Sequence, residues 1–138
     1  MKKISQLLVL FLFFACTPTD EVNTKPAVTL EDTDVRFEFT TTEQNYDEIE
    51  FSYYVNGEDK FTSETLVFEY DNNGNPLTKI IEWKDFGHKY IRGEAYRNNF
   101  SETELGIKIY VNDELVYEES ETGNPNAYAR VVFDYTIE

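Results

Sequence analysis

Leu105-Gly106-Ile107-Lys108-Ile109-Tyr110-Val111, then Asn112-Asp113, then Glu114-Leu115-Val116-Tyr117, is the stretch whose reading decides the fold. Leu105, Ile107, Ile109 and Val111 recur at every second residue, the period at which an extended strand returns its side chains to one face. Asn and Asp tolerate positive φ better than most residues, so a two-residue Asn112-Asp113 loop is expected to join two antiparallel strands as a hairpin. With that loop, Val111 pairs with Glu114, Tyr110 with Leu115, Ile109 with Val116 and Lys108 with Tyr117. Tyr110, Leu115 and Tyr117 then share the face opposite Ile107 and Ile109. If the isoleucines face the core, an apolar aromatic patch points outward, and these three residues are expected to contact a partner protein or a carbohydrate.

The same period runs outward from the hairpin in both directions. Val35, Phe37 and Phe39 alternate with Arg36, Glu38 and Thr40, while Ile49, Phe51, Tyr53 and Val55 alternate with Glu50, Ser52 and Tyr54. Lys60 to Tyr70, Leu77 to Lys84, Lys89 to Asn98 and Ala127 to Ile137 are rich in β-branched and aromatic residues and read as further strands. Asn56-Gly57 and Asn72-Asn73-Gly74-Asn75 add hairpin signals, and no segment has a convincing helical period. About eight short strands at regular spacing predict an all-β domain, an antiparallel two-sheet β-sandwich of immunoglobulin-like type. A small barrel is the structural alternative. Ile91, Gly93 and Ala95 form a face suited to close sheet packing, and most aromatic residues are expected to fill the core.

The N-terminus reads as an address. Lys2 and Lys3 precede an apolar run from Leu7 to Phe14 and then the small Ala15, the order of an export signal. The run is too short to cross a bilayer core of roughly 30 Å, which needs about 20 residues. Phe13-Phe14-Ala15-Cys16 resembles the lipobox of bacterial lipoproteins, with Phe13 where that family usually carries Leu. The resemblance implies cleavage before Cys16, a diacylglyceryl group on its thiol, further acylation of its amino group and an outer-membrane anchor. The expected organisation is a signal peptide over residues 1–15, a flexible acidic tether over 16–34 and a β-sandwich over 35–138. Asp20-Glu21 resembles the acidic tract of some surface-displayed lipoproteins, so the domain faces either the periplasm or the outside. Cys16 is the only cysteine, which excludes intrachain disulfides and CxxC chemistry.

The whole chain carries a formal charge of −15, and loss of Lys2 and Lys3 with the signal makes the remainder about −17. Such a field repels phosphate backbones and anionic lipid surfaces, so neither nucleic-acid binding nor polybasic membrane docking is expected.

Asp71, Asn73, Asn75 and Glu82 occupy the first, third, fifth and twelfth positions of a calcium-loop pattern. However, Pro76 stands where that loop needs glycine, and strand-like segments flank it. A turn is the better reading. His88, the single histidine, lies in Phe86-Gly87-His88-Lys89, a turn with no sequence-adjacent catalytic partners. No nucleophile elbow, zinc spacing or phosphate loop is present, and scattered acids on outward strand positions read as a solvated face rather than a glycosidase pair. The expected protein is non-enzymatic, with no cofactor and no metal.

Gly106 to Val116, followed after a polar gap by Ala127-Tyr128-Ala129, resembles the C-terminal half of the MmpS-like domain. Ile49-Glu50-Phe51-Ser52-Tyr53 and its Asn56-Gly57 turn extend the likeness across residues 35 to 136. That resemblance implies a small sandwich outside the membrane and an accessory role beside a lipid exporter, with no catalytic residues to carry over. Members of that family are held by a membrane helix, whereas this chain has the lipobox-like Phe13-Phe14-Ala15-Cys16. The expectation is a lipid-anchored accessory or interaction protein of the cell envelope, with a glycan or small-ligand binding module as the alternative.

Overall fold

The computed structural model describes residues 30–55 and 60–138. The signal segment, Cys16, most of the expected tether and the Asn56-Gly57 turn lie outside the described residues.

Eight strands follow a short 3-10 turn at Leu30–Asp32: β1 (Val35–Thr41), β2 (Glu48–Val55), β3 (Lys60–Val67), β4 (Lys79–Trp83), β5 (Tyr90–Arg97), β6 (Glu104–Val111), β7 (Glu114–Thr122) and β8 (Arg130–Thr136). They form two four-stranded sheets, β4-β1-β6-β7 and β3-β2-β5-β8, with every neighbouring pair antiparallel. The two-sheet β-sandwich read from the alternation is therefore the fold. Only β2–β3 and β6–β7 are consecutive strands paired in one sheet. All other connections cross between sheets, which makes most pairings non-local.

Alternation decides which face each strand buries. Along β1, Val35, Phe37 and Phe39 are fully buried while Arg36 and Glu38 are partly exposed. Leu105, Ile107, Ile109 and Val111 of β6, Ile49 and Phe51 of β2, Ile91 and Ala95 of β5, and Val131 and Phe133 of β8 complete the core. The rings of Phe39 and Phe51 lie 5.0 Å apart at 63°, and those of Phe37 and Trp83 4.5 Å apart at 66°, edge-to-face contacts that add to the burial itself. Gly93 sits directly opposite Phe133. A Cβ there would come within 2.5 Å of the Phe133 Cζ, so only glycine lets that ring lie across β5.

Three features depart from the sequence reading. Residues 30–34, expected in the tether, pack on the sandwich: Thr33 is fully buried, and the Gly87 amide donates to the Leu30 carbonyl at 3.0 Å. The Asn72–Asn75 tract is not a hairpin between neighbouring strands, because β3 and β4 belong to opposite sheets. It is a loop inside a crossover, with a β-bridge between Tyr70 and Pro76 and the Asn45 amide donating to the Gly74 carbonyl at 3.1 Å. The third departure lies in the β6–β7 hairpin.

Candidate functional site

Asn112 and Asp113 both adopt positive φ, at 48° and 64°, so the two-residue turn forms as its composition requires. Val111 pairs with Glu114 and Tyr110 with Leu115, as expected, but the register then shifts and Ile109 pairs with Tyr117. Val116 is the extra residue of a β-bulge. This corrects the expected face. Tyr117 points inward, its ring centroid 6.5 Å from that of Phe133, and its hydroxyl donates to the Val132 carbonyl at 2.8 Å. It also lies against the Glu119 carboxylate. Burial first, and that carboxylate second, push the phenol above its ordinary value.

Tyr110 does point outward, but the Arg36 guanidinium sits 4.0 Å over its ring and its hydroxyl donates to Glu38 at 3.2 Å. Leu115, 44 % exposed, is the one member of the expected trio left open to solvent. Tyr110, Leu115 and Tyr117 therefore do not form one patch. Past the bulge, Tyr117 reaches β8 in the opposite sheet, a contact between sheets that strand alternation alone does not report.

The other outward tyrosines also serve different regions. Tyr90 stacks under the Arg92 guanidinium at 4.9 Å, and Tyr128 stacks on Phe100 at 4.7 Å, near the end of the sandwich that holds the β5–β6 loop. Tyr54 pairs in register with Phe61, their rings 5.7 Å apart.

A partly open aromatic cleft lies where the end of β4 meets the end of β2. Tyr53, Tyr54, Trp83, Lys84, Asp85, Phe86 and His88 line a shallow cleft of about 210 Å³. Trp83 occupies the inward position of β4 opposite Val35, which places it at the open edge of the core. Its ring meets Tyr53 at 4.8 Å and is stacked with Phe86 at 5.4 Å and 12°. The turn after β4 brings Phe86 back over Trp83: Asp85 and Gly87 adopt φ of 51° and 65°, and the Phe86 amide donates to the Thr33 carbonyl at 2.7 Å. His88 is exposed at the rim, edge-on to Phe86 at 5.2 Å. Lys84 Nζ lies 2.8 Å from Asp34 Oδ2, and that hydrogen bond raises the ammonium above its ordinary range and holds the Asp34 carboxyl below its own. Burial likewise pushes the Tyr53 phenol up, with Glu64 adding to the effect.

At the opposite end, Arg97 and Asp47 form an ion pair whose side chains are both 0 % exposed. Arg97 Nε donates to Asp47 Oδ1 at 3.0 Å and Nη2 to Oδ2 at 2.9 Å. Its remaining donors reach Thr41 Oγ1 at 2.9 Å and the Thr103 carbonyl at 2.8 Å, while the Thr41 hydroxyl donates to Asp47 at 2.7 Å. A buried charge pair persists only when its hydrogen-bonding capacity is filled in this way. Above it, the Tyr70 hydroxyl is the one buried side-chain polar atom among the described residues with no hydrogen-bond partner. Burial raises its phenol, and Asp47 and Glu43 act in the same direction.

Asp71 spends its carboxylate inside its own turn. Its Oδ1 accepts from the Asn73 and Asn75 amides at 2.8 and 2.9 Å, and its Oδ2 accepts from Asn75 Nδ2 at 2.9 Å. Those bonds hold it below the usual carboxylate range and account for the loop as an Asx turn. Among the described residues, no group of three His, Cys, Asp or Glu side chains is placed to hold a metal, and no helix is long and apolar enough to cross a membrane.

Two sites were thus missed by the sequence reading. Trp83 continues the inward alternation of Ile81 in β4, and Arg97 continues that of Ile91, Gly93 and Ala95 in β5, so a charged residue in core register was the available signal for the ion pair. Comparison with protein-family models, curated proteins and solved structures finds no match to this chain.

Proposed function

We propose that this protein is a lipid-anchored, extracytoplasmic binding module that acts without catalysis and takes a small ligand or a glycan end in the cleft around Trp83. The observation that carries this reading is the cleft itself, where the half-buried rings of Tyr53, Trp83 and Phe86 form an aromatic wall and Lys84, Asp85 and His88 stand at its edge. Ligand sites combine apolar walls with a few polar groups in this manner. At about 210 Å³ the cleft is smaller than the roughly 300–1,000 Å³ of sites for drug-sized molecules, which suits a single ring or headgroup. An accessory role beside an envelope partner, the first expectation from the sequence, has lost its three-residue contact patch at the hairpin. The ligand reading is the stronger of the two.

The anchor rests on the lipobox resemblance at Cys16. Cys16→Ser should release the chain from the membrane fraction and abolish labelling by radioactive palmitate; retention of both would overturn the anchor. Trp83 is the only tryptophan in the chain, so its emission reports directly on the cleft. A glycan and small-molecule panel read by that emission should contain compounds that shift it saturably. If every compound leaves it unchanged, the binding reading fails.

A further inference from the structure

The walls of the cleft and the charges around it select one ligand chemistry. An aromatic face is negative at its centre, so it attracts a cation, and a weakly hydrated one loses least on leaving water. Trp83 and the two rings it touches, Tyr53 and Phe86, line this one small space. The neighbouring formal charges add to the same preference. Lys84 is compensated twice over, by Asp34 at 2.8 Å and Glu82 at 3.9 Å, and Asp85 is exposed on the lining. The surrounding chain is strongly acidic at −15. An anion entering the cleft meets Asp85 and the field of the whole domain, whereas a cation is drawn in by both.

We infer that the cleft around Trp83 binds a soluble small molecule through a trimethylammonium group, held against the aromatic walls and balanced by Asp85. The inference rests on the proposed binding role and names its ligand class. The pairing uses two independent features, an aromatic lining and a negative surround, and a quaternary ammonium group is the chemistry that satisfies both.

The test uses the full lipidated chain in a polyoxyethylene detergent, with choline as the probe and Trp83 emission as the readout. Its control is 3,3-dimethylbutan-1-ol, which has the shape of choline without the charge, and sodium chloride matches the ionic strength. Choline is expected to shift the emission saturably, with an affinity at least about tenfold above that of the uncharged control, consistent with a desolvated cation over aromatic rings. Asp85→Asn should weaken choline several-fold and leave the control unchanged. Equal responses to choline and the alcohol would overturn cation selection while leaving the binding module intact. A response to sugars alone would do the same. No response to any of these probes would overturn both.

Discussion

At the end of the sandwich where β1 stops and β2 begins, Arg97 and Asp47 close the core with buried charges whose donors and acceptors are filled by Thr41 and the Thr103 carbonyl. At the other end, where the chain enters β1 and turns from β4 into β5, Trp83 and Phe86 close it with half-buried, stacked rings that line the cleft. Both devices seal the space between the same two sheets. The charged plug has committed its hydrogen-bonding groups internally, so little of its chemistry remains for a ligand. The aromatic end needs no internal partners to be stable, and its walls stay available. The contrast explains why the most elaborate polar cluster in the protein is assigned to stability and the plainer aromatic cleft to recognition.

The strongest way to break the contrast is Asp47→Ala. It leaves the Arg97 guanidinium buried without a counter-ion, and chemical denaturation should show a loss of about 3–5 kcal/mol. The fraction that stays folded should keep its Trp83 response, and a lost response would mean that the two ends are coupled. Trp83→Ala comes next. The residue is half-buried, so removal of its ring should cost about 2–3 kcal/mol, below the range for fully buried aromatics, and should abolish ligand capture measured by equilibrium dialysis.

Tyr117→Phe probes the seam between β7 and β8. Losing the hydrogen bond to Val132 should cost up to about 1 kcal/mol. The raised Tyr117 phenol also has a pH signature. The folded protein keeps this proton above the ordinary value of 10.0, where the unfolded chain has lost it, so the contribution is complete below that pH and fades as pH rises through the folded value. Tyr117→Phe should therefore flatten part of the alkaline fall in unfolding midpoint, with Tyr53 and Tyr70 supplying a remainder of the same sign. An unchanged alkaline profile would remove Tyr117 from that role. Tyr54→Ala sharpens the comparison with the smallest structural effect. Its stability change should be about 0.2–1 kcal/mol, from loss of the cross-strand ring pair with Phe61, while ligand affinity stays unchanged because that ring stands on the face of β2 away from Trp83. A fall in affinity would bring the Tyr54 ring into the site.

The strands of this fold were legible because burial on one face leaves a period of two in the residues, as in Val35-Arg36-Phe37-Glu38-Phe39. The turn at Asn112-Asp113 was legible because its backbone angles restrict which residues can stand there. The bulge at Val116 was not, because Tyr117 turns inward to reach Val132 and Phe133, and that pairing depends on how the two sheets meet. The cleft escaped for a related reason. Trp83 was visible as a strand residue, but its stacking on Phe86 depends on the turn through Asp85 and Gly87 and on the fastening of that turn to Thr33 and Leu30. Arg97 was different, since its inward position in β5 could be counted directly.

The fastening of Leu30 and Thr33 also has a mechanical consequence. Under the proposed anchor at Cys16, a pull from the N-terminal side enters the described residues at Leu30. There the Gly87 amide holds the Leu30 carbonyl, the Phe86 amide holds that of Thr33, and Lys84 holds Asp34. Such a pull would reach the β4–β5 turn before the sheets, so under that anchor the segment that lines the cleft is also the first of the described residues to bear load.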